Sequence, residues 1–269
     1  MDADYSGQRL SALVLAGDRS PGDPLAQASR SGCKALLDIE GTPMVRRVLA
    51  ALQQAALVAD VTLTGPQEQQ LASDPELRGW IAAQGFGWFP PAASPSSSAA
   101  AVMREIDVEQ PVLLTTCDHP MLTATMVDAF ARQALHREAD VVICLAPYAL
   151  VREAYPDMKK TVLRFSDGEF CSCNLFIFNT LEGRGVADFW RRIEQQRKKP
   201  LRIIRLLGWR AVLRYRLGLL SLEEALQRLG KRLGLRIEPV VVPYADAAID
   251  VDSLADLHLV RASLEGAAA

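Results

Sequence analysis

The stretch from Ser11 to Val48 constrains this chain most. It opens with residues 11–17, Ser-Ala-Leu-Val-Leu-Ala-Gly, an apolar run closed by a glycine. Such a run suits a parallel strand buried on both faces. The residues after it suit neither strand nor helix, because Pro21, Gly22, Asp23, Pro24, Ser29, Ser31 and Gly32 are turn formers. Lys34 comes next, then an apolar hairpin-like segment from Ala35 to Ile39 and a turn at Glu40-Gly41. Thr42 is the expected N-cap of a helix, with Pro43 in its first helical position. Strand, loop and helix in that order put the loop at the carboxyl end of the first strand, where open α/β sheets bind ligands. The loop carries Arg19 and ends at Lys34, two cations suited to phosphates.

A chain of 269 residues allows one large domain or two small ones. We expect one domain over 1–269, with a helical basic subregion at 184–236. Hydrophobic residues make up 49%, enough to build a sizeable core. The formal net charge of -2 argues against a general nucleic-acid binder. There is no basic, apolar leader at the N-terminus and no apolar run of about 18 residues, so the expected location is cytoplasmic. Five cysteines, Cys33, Cys117, Cys144, Cys171 and Cys173, form no disulfide framework and are expected as reduced thiols. Cys171-x-Cys173 has no companion pair to complete a zinc site.

Periodicity gives the remaining elements. Helices are expected over 44–56, 71–84 and 125–136, and strands over 58–64, 86–89, 111–116, 139–147 and 170–179. Gly65-Pro66 ends the second strand. Residues 90–103, Pro-Pro-Ala-Ala-Ser-Pro-Ser-Ser-Ser-Ala-Ala-Ala-Val-Met, have the composition of a linker but run into an amphipathic helix, which Ser96, Ser97 or Ser98 would cap. After strand 111–116 comes Cys117-Asp118-His119-Pro120. A carboxylate at the end of a buried strand is a hard oxygen ligand for Mg²⁺ on phosphates; the plainer alternative is a cap for a helix starting near Thr123. Lys159, Lys160 and Arg164 precede the turn Ser166-Asp167-Gly168 and suit either an anionic acceptor or open solvent. Near the C-terminus lies Asp250-Val251-Asp252-Ser253, followed by Asp256, which suits the cap or opening of a last helix.

Three of these patterns occur together in a known family. Leu15-Ala16-Gly17-x-Arg19, a variable loop, and Lys34-x-Leu-Leu-x-Ile-x-Gly-x-Pro-Met-Val resemble the signature of MobA-like and sugar-phosphate NTP transferases. The strand-end Asp118-x-Pro and the closing Asp-Val-Asp-Ser run resemble that family's metal-binding motifs. The resemblance implies a GT-A-like, Rossmann-like fold: a three-layer α/β/α sandwich with a mostly parallel central sheet. It implies Mg²⁺-dependent transfer of a nucleotidyl group from an NTP, CTP or GTP favoured, to a phosphorylated acceptor such as a sugar, alditol or lipid-headgroup phosphate. In that scheme Lys34, Arg19 and Asp118 are catalytic. The nucleotide meets Leu15, Ala16, Gly17, Asp18, Arg19, Lys34, Gly65, Ser96, Ser97 and Ser98. The acceptor meets Lys159, Lys160, Arg164 and Asn174. Asp118 with Asp250 or Asp252 holds the metal, Asp250 matching best and Asp246 an outside candidate.

Alternatives stay open at this point. They are a molybdenum-cofactor guanylyl- or cytidylyltransferase, a GT-A glycosyltransferase, and a catalytically silent nucleotide-binding protein. The last is motivated by Asp18, which stands where the family has a second glycine, and by the long gap from Arg19 to Lys34. Glycosyl transfer is disfavoured because the fourth strand ends in Asp118-His119-Pro120 and lacks Asp-x-Asp. The segment from Arg191 to Arg216 holds ten Lys or Arg against one acid, Glu194. Within 197–217 this basic amphipathic element suits an anionic membrane surface, a water-facing helical subdomain, or a wall around the acceptor. The first of these would put the protein at the inner membrane face.

Overall fold

The computed structural model describes residues 9–18, 23–187, 190 and 208–268. Arg19 lies outside them, as do 188–189 and 191–207 of the basic subregion expected over 184–236.

Strand β1 (Leu10–Leu15) is buried at every position, as its unbroken apolar sequence requires. It lies between β4 (Val58–Thr64) and β6 (Val112–Thr116), parallel to both. Beyond β4, β5 (Gly87–Phe89) continues the parallel run. Beyond β6, β9 (Gly168–Phe178) runs antiparallel, and on its far side β7 (Val141–Pro147) returns to the common direction with β10 (Ile237–Val241) parallel beside it. The resulting order is β10-β7-β9-β6-β1-β4-β5, with β8 (Leu163–Phe165) hairpinned onto β9. The sheet is mostly parallel, as expected.

The alternating side chains of β1 feed two separate apolar clusters. Leu10, Ala12 and Val14 join the one built with α2 (Met44–Gln54) and α6 (Ala124–Leu135). Leu13 and Leu15 join the one built with α5 (Pro95–Met103) and the helix Leu222–Leu233. Both faces are therefore covered, which makes three layers. Truncating a buried leucine such as Leu13 to alanine would cost about 2–5 kcal/mol.

Local chemistry corrects several expected boundaries. Thr42 does not cap α2; it pairs with Ile39 in a two-residue antiparallel ladder, and Pro43 takes the N-cap position without a side-chain bond. The helix expected over 71–84 is two, Glu68–Ala72 and Pro75–Ala83, because Asp74 accepts the Leu77 N–H as a new N-cap ahead of Pro75. The serine that caps α5 is Ser94, which accepts the Ser97 N–H, and Pro95 follows as the first helical residue. Ser96, Ser97 and Ser98 lie inside the helix, and Ser96 and Ser98 are buried. Residues 90–94 are no flexible linker, since Ser98 Oγ accepts the Ala92 N–H at 2.8 Å. All five cysteines are buried free thiols.

Candidate functional site

β1, β4 and β6 end together, and their carboxyl ends carry the motifs. The Ala16 N–H donates to the Thr64 carbonyl and the Cys117 N–H to the Leu15 carbonyl, so the three strand exits are tied together. Gly65 closes the end of β4 at φ +82°, with its N–H on the Phe89 carbonyl at 2.9 Å. A Cβ there would lie 2.7 Å from the Gly17 nitrogen and 2.8 Å from the Ala16 carbonyl carbon. Only glycine lets β4 press so closely on the loop at Ala16-Gly17.

Lys34 begins a single 3-10 turn, Lys34–Leu36, after the turn-rich loop. Its ammonium lies 2.9 Å from Asp118 Oδ2 and 3.0 Å from Asp252 Oδ1. Residues 84 and 218 positions apart from it thus meet on one lysine. Asp118 is 5% exposed, and its other oxygen accepts the Thr116 hydroxyl at 2.5 Å. Asp252 is largely exposed. Burial opposes the charge on Asp118. Lys34, then His119 and the Thr116 hydroxyl, outweigh it and hold this carboxyl below the ordinary carboxylate range. Burial likewise opposes the charge on Lys34, but Asp118 and then Asp252 raise it above an ordinary lysine. One ammonium is thus shared between a buried and an exposed carboxylate.

Asp18 is held by bonds within the protein. One carboxylate oxygen accepts the Lys34 N–H at 3.0 Å and the other accepts the Gln70 amide at 3.0 Å. Asp18 thus ties the start of the loop to its end at Lys34 and to the helix Glu68–Ala72 at Gln70. Burial, followed by Asp18, pushes the Cys33 thiol up to about 12, so this neighbour of Lys34 is no nucleophile at neutral pH.

The C-terminal motif arrives beside Asp118 through the backbone, the Val251 N–H donating to the Asp118 carbonyl at 2.9 Å. Asp250 and Asp252 flank that anchor and go to different partners. Asp252 meets Lys34, whereas Asp250 pairs with Lys160, whose side chain is 8% exposed. Asp246, in the same connection, accepts the Tyr155 hydroxyl. Asp256 bonds Ser253 at the start of the final helix, Leu254–Ala268, and serves that helix end as expected.

Asn174 adopts φ +48° where β9 slips register against β7, and its amide nitrogen lies 2.9 Å from His119 Nε2. His119 is buried, with Nε2 3.9 Å from Asp118 Oδ1, and has no catalytic partner among the described residues. Asn174 is therefore next to the aspartate, while the other acceptor candidates diverge. Lys159 is exposed, Arg164 pairs with Glu169 across the β8–β9 hairpin at 2.8 Å, and Lys160 is committed to Asp250. Thr116 and Gln70 were not expected here. Thr116 is recognisable only by lying two positions before Asp118, which brings its hydroxyl to the carboxylate; nothing in the sequence marks Gln70.

A mostly parallel sheet thus gathers a lysine, a strand-end aspartate and a C-terminal aspartate at its carboxyl end. The MobA-like NTP transferase domain matches residues 12–237, and the chain belongs to that family. A hypothetical transferase from Thermus thermophilus is 31% identical, with a TM-score of 0.77 over 93% of this chain and 100% of its own. A CMP:2-keto-3-deoxy-manno-octonic acid synthetase complexed with CTP is 18% identical, with a TM-score of 0.56 over 96% of this chain and 98% of its own. A 2-C-methyl-D-erythritol 4-phosphate cytidylyltransferase, also from Thermus thermophilus, is 16% identical, with a TM-score of 0.52 over 96% and 100%. The last two share the fold with this chain. No curated protein matches it.

Proposed function

We propose that the protein joins the nucleotidyl part of an NTP to a phosphorylated small-molecule acceptor and releases pyrophosphate, with Mg²⁺ as cofactor. The observation that carries this reading is Lys34 held between Asp118 and Asp252 at the mouth of the Leu15–Asp18 loop.

The donor set fits Mg²⁺. Two hard carboxylates, one buried and one exposed, converge on Lys34. Among the described residues no group of three or more His, Cys, Asp or Glu could hold a metal. That suits Mg²⁺, which keeps waters and takes one or two carboxylates plus substrate phosphates rather than a full protein cage. Asp118 and Asp252 would hold it. Asp250 is the weaker candidate on this geometry, because Lys160 already neutralises it. When bound, the ion neutralises charge on the phosphate oxygens.

The chain's own residues do the rest by position and charge. An acceptor phosphate oxygen attacks the α-phosphorus in line; the bond to the bridging oxygen of the β-phosphate breaks, and pyrophosphate carries away the electron pair. Lys34 stays protonated, stabilising negative charge as it grows on the α-phosphate and leaving group. Arg19, outside the described residues, would share that task. The loop backbone at Leu15–Asp18, held by Gly65, cradles the phosphates, and buried Ser96 and Ser98 lie behind the segment that would flank the nucleotide. CTP and GTP are the favoured donors, since CTP is the nucleotide named for one fold relative. A sugar, alditol or lipid-headgroup phosphate would reach the α-phosphorus past Asn174.

The test is release of pyrophosphate with each NTP and a panel of such acceptors, alongside thermal stability with each NTP with and without Mg²⁺. One NTP should raise stability in a Mg²⁺-dependent way; occupancy at a hundredfold excess over Kd is worth about 2.7 kcal/mol. Asp118→Asn should lower turnover by about 10²–10³ without lowering the melting temperature enough to unfold the protein at assay temperature. An NTP-dependent shift without pyrophosphate release would favour a silent nucleotide-binding protein, and neither shift nor pyrophosphate would overturn the proposal.

A further inference from the structure

The helix Trp209–Arg216 has two unlike faces. Ala211 is fully buried, and the Tyr215 ring packs edge-on against Phe165 with centroids 5.7 Å apart. On the opposite side Trp209, Leu213 and Leu217 follow each other at intervals of four and are 71%, 50% and 61% exposed. A helix brings positions four apart onto one face, so these three form a continuous apolar stripe. Single exposed apolar residues are ordinary, but a tryptophan and two leucines in line on one helix are not.

Charge lies on both sides of the stripe. Arg210 stacks over the Trp209 ring, its guanidinium carbon 5.5 Å from the centroid, and Arg214 and Arg216 follow along the helix. Arg214 is held by the Leu219 carbonyl and by Glu224, both on the supporting side. The sequence from Gln196 to Ser221 has eight Lys or Arg and no Asp or Glu. An apolar stripe flanked by arginines matches an anionic lipid surface on both counts. Leucine and tryptophan side chains enter the headgroup boundary, and the arginines extend to the phosphates. Each basic residue close to such a surface adds to the attraction.

We infer that this face docks the protein on an anionic lipid surface. The inference goes beyond nucleotidyl transfer and does not depend on it. The helix rests on the β8–β9 hairpin, since Phe165 belongs to β8 and the Ser166 N–H donates to the Leu220 carbonyl. That hairpin continues through β9 into Asn174. A docked protein would therefore meet lipid through a helix whose other side rests on the hairpin that leads to Asn174. No helix among the described residues is long and apolar enough to cross a membrane, so contact through this stripe would be peripheral.

The test is sedimentation of the full chain with vesicles, without nucleotide. Vesicles of phosphatidylglycerol and phosphatidylcholine should bind it about tenfold more than phosphatidylcholine alone, and high salt should weaken binding. Trp209→Gln with Leu213→Gln changes only exposed side chains, and should lower partition about tenfold at unchanged melting temperature. The Trp emission should shift to the blue on binding, and Trp209→Phe should abolish that shift. Asp118→Asn should bind vesicles as the unaltered protein does, which separates this result from any failure of the nucleotide site. Equal partition on both vesicle types, or equal partition of the double variant, would overturn the inference. So would a dimer in solution that the double variant splits, because a second copy would then cover the stripe.

Discussion

Lys34 and Lys160 each take one aspartate from the same extended segment, Asp252 going to Lys34 and Asp250 to Lys160. The two contacts are balanced differently. Lys160 and Asp250 are a closed pair, one charge against one, with side chains 8% and 22% exposed. Lys34 serves two carboxylates, and one of these, Asp252, is 59% exposed. The first arrangement is a one-to-one pair in a mostly buried place and holds the chain together; the second shares one ammonium between a buried and an exposed carboxylate. A divalent cation gains from the second and would have to break the first. Burial and pairing alone therefore separate a structural clasp from a candidate reactive centre within three residues of sequence.

The sharpest way to break this comparison is to neutralise the two aspartates separately. Asp252→Asn should lower turnover by about 10²-fold or more while leaving stability nearly unchanged, because an exposed partner contributes little to folding. Asp250→Asn should do the reverse, leaving a buried ammonium uncompensated. Titration of Mn²⁺ with the NTP present should show weakened metal binding for the first variant only. If Asp250→Asn loses the metal and Asp252→Asn does not, the roles are exchanged and the closed pair opens in the working enzyme.

Removing the other half of the clasp gives a smaller effect. Lys160→Met leaves Asp250 without its cation in a mostly buried place. Breaking such a pair costs about 3–5 kcal/mol when both groups are fully buried, and the partial exposure of Asp250 brings the expectation to about 2–3 kcal/mol. Urea unfolding would measure it. Turnover should fall less than tenfold if Lys160 is a clasp only. A rise in acceptor KM with stability intact would instead return Lys160 to the acceptor, as its sequence neighbourhood suggested.

How much of this was legible beforehand depended on what kind of signal each part leaves. β1 was recognisable because a strand buried on both faces needs an uninterrupted apolar run. Lys34, Asp118 and the Asp-Val-Asp segment were recognisable because residue type and spacing carry their chemistry. The partner choice within Asp-Val-Asp was not. Alternation in an extended chain would put Asp250 and Asp252 on one face; that they part, and which lysine meets each, is a fact of tertiary packing, set by contacts 90 and 218 residues apart. The cap of α5 was missed for a local reason: four serines lie within five residues, and only the placement of Pro95 in the first turn singles out Ser94. Asp18 looked like a lost glycine, and its bonds to Lys34 and Gln70 could not be read from its neighbours.

The smallest expected effect comes from the group that both pairs surround. His119 is buried, and burial lowers its pKa; Asp118 and then Asp250 pull it up, and Lys160 and Lys34 oppose them. The net direction is down, so the folded protein keeps a neutral imidazole at pH values where the unfolded chain, with an ordinary histidine near 6.5, takes up a proton. The unfolded state then binds more protons, and stability falls as pH drops below about 6.5 toward the lower folded value, at no more than about 1.4 kcal/mol per unit. Asp118 adds nothing in this window. Its depressed carboxyl contributes stability that is present above the unfolded carboxylate value, near 4, and lost only below it. Lys34, raised, contributes stability that is present below about 10.4 and lost only as pH rises above it. Urea unfolding of the metal-free protein between pH 5 and 8 should therefore show a shallow slope that His119→Asn reduces. A slope unchanged in that variant would mean that the two lysine–aspartate pairs stabilise the imidazolium enough to cancel burial, and that the neutral clasp and the open trio act on His119 as one field.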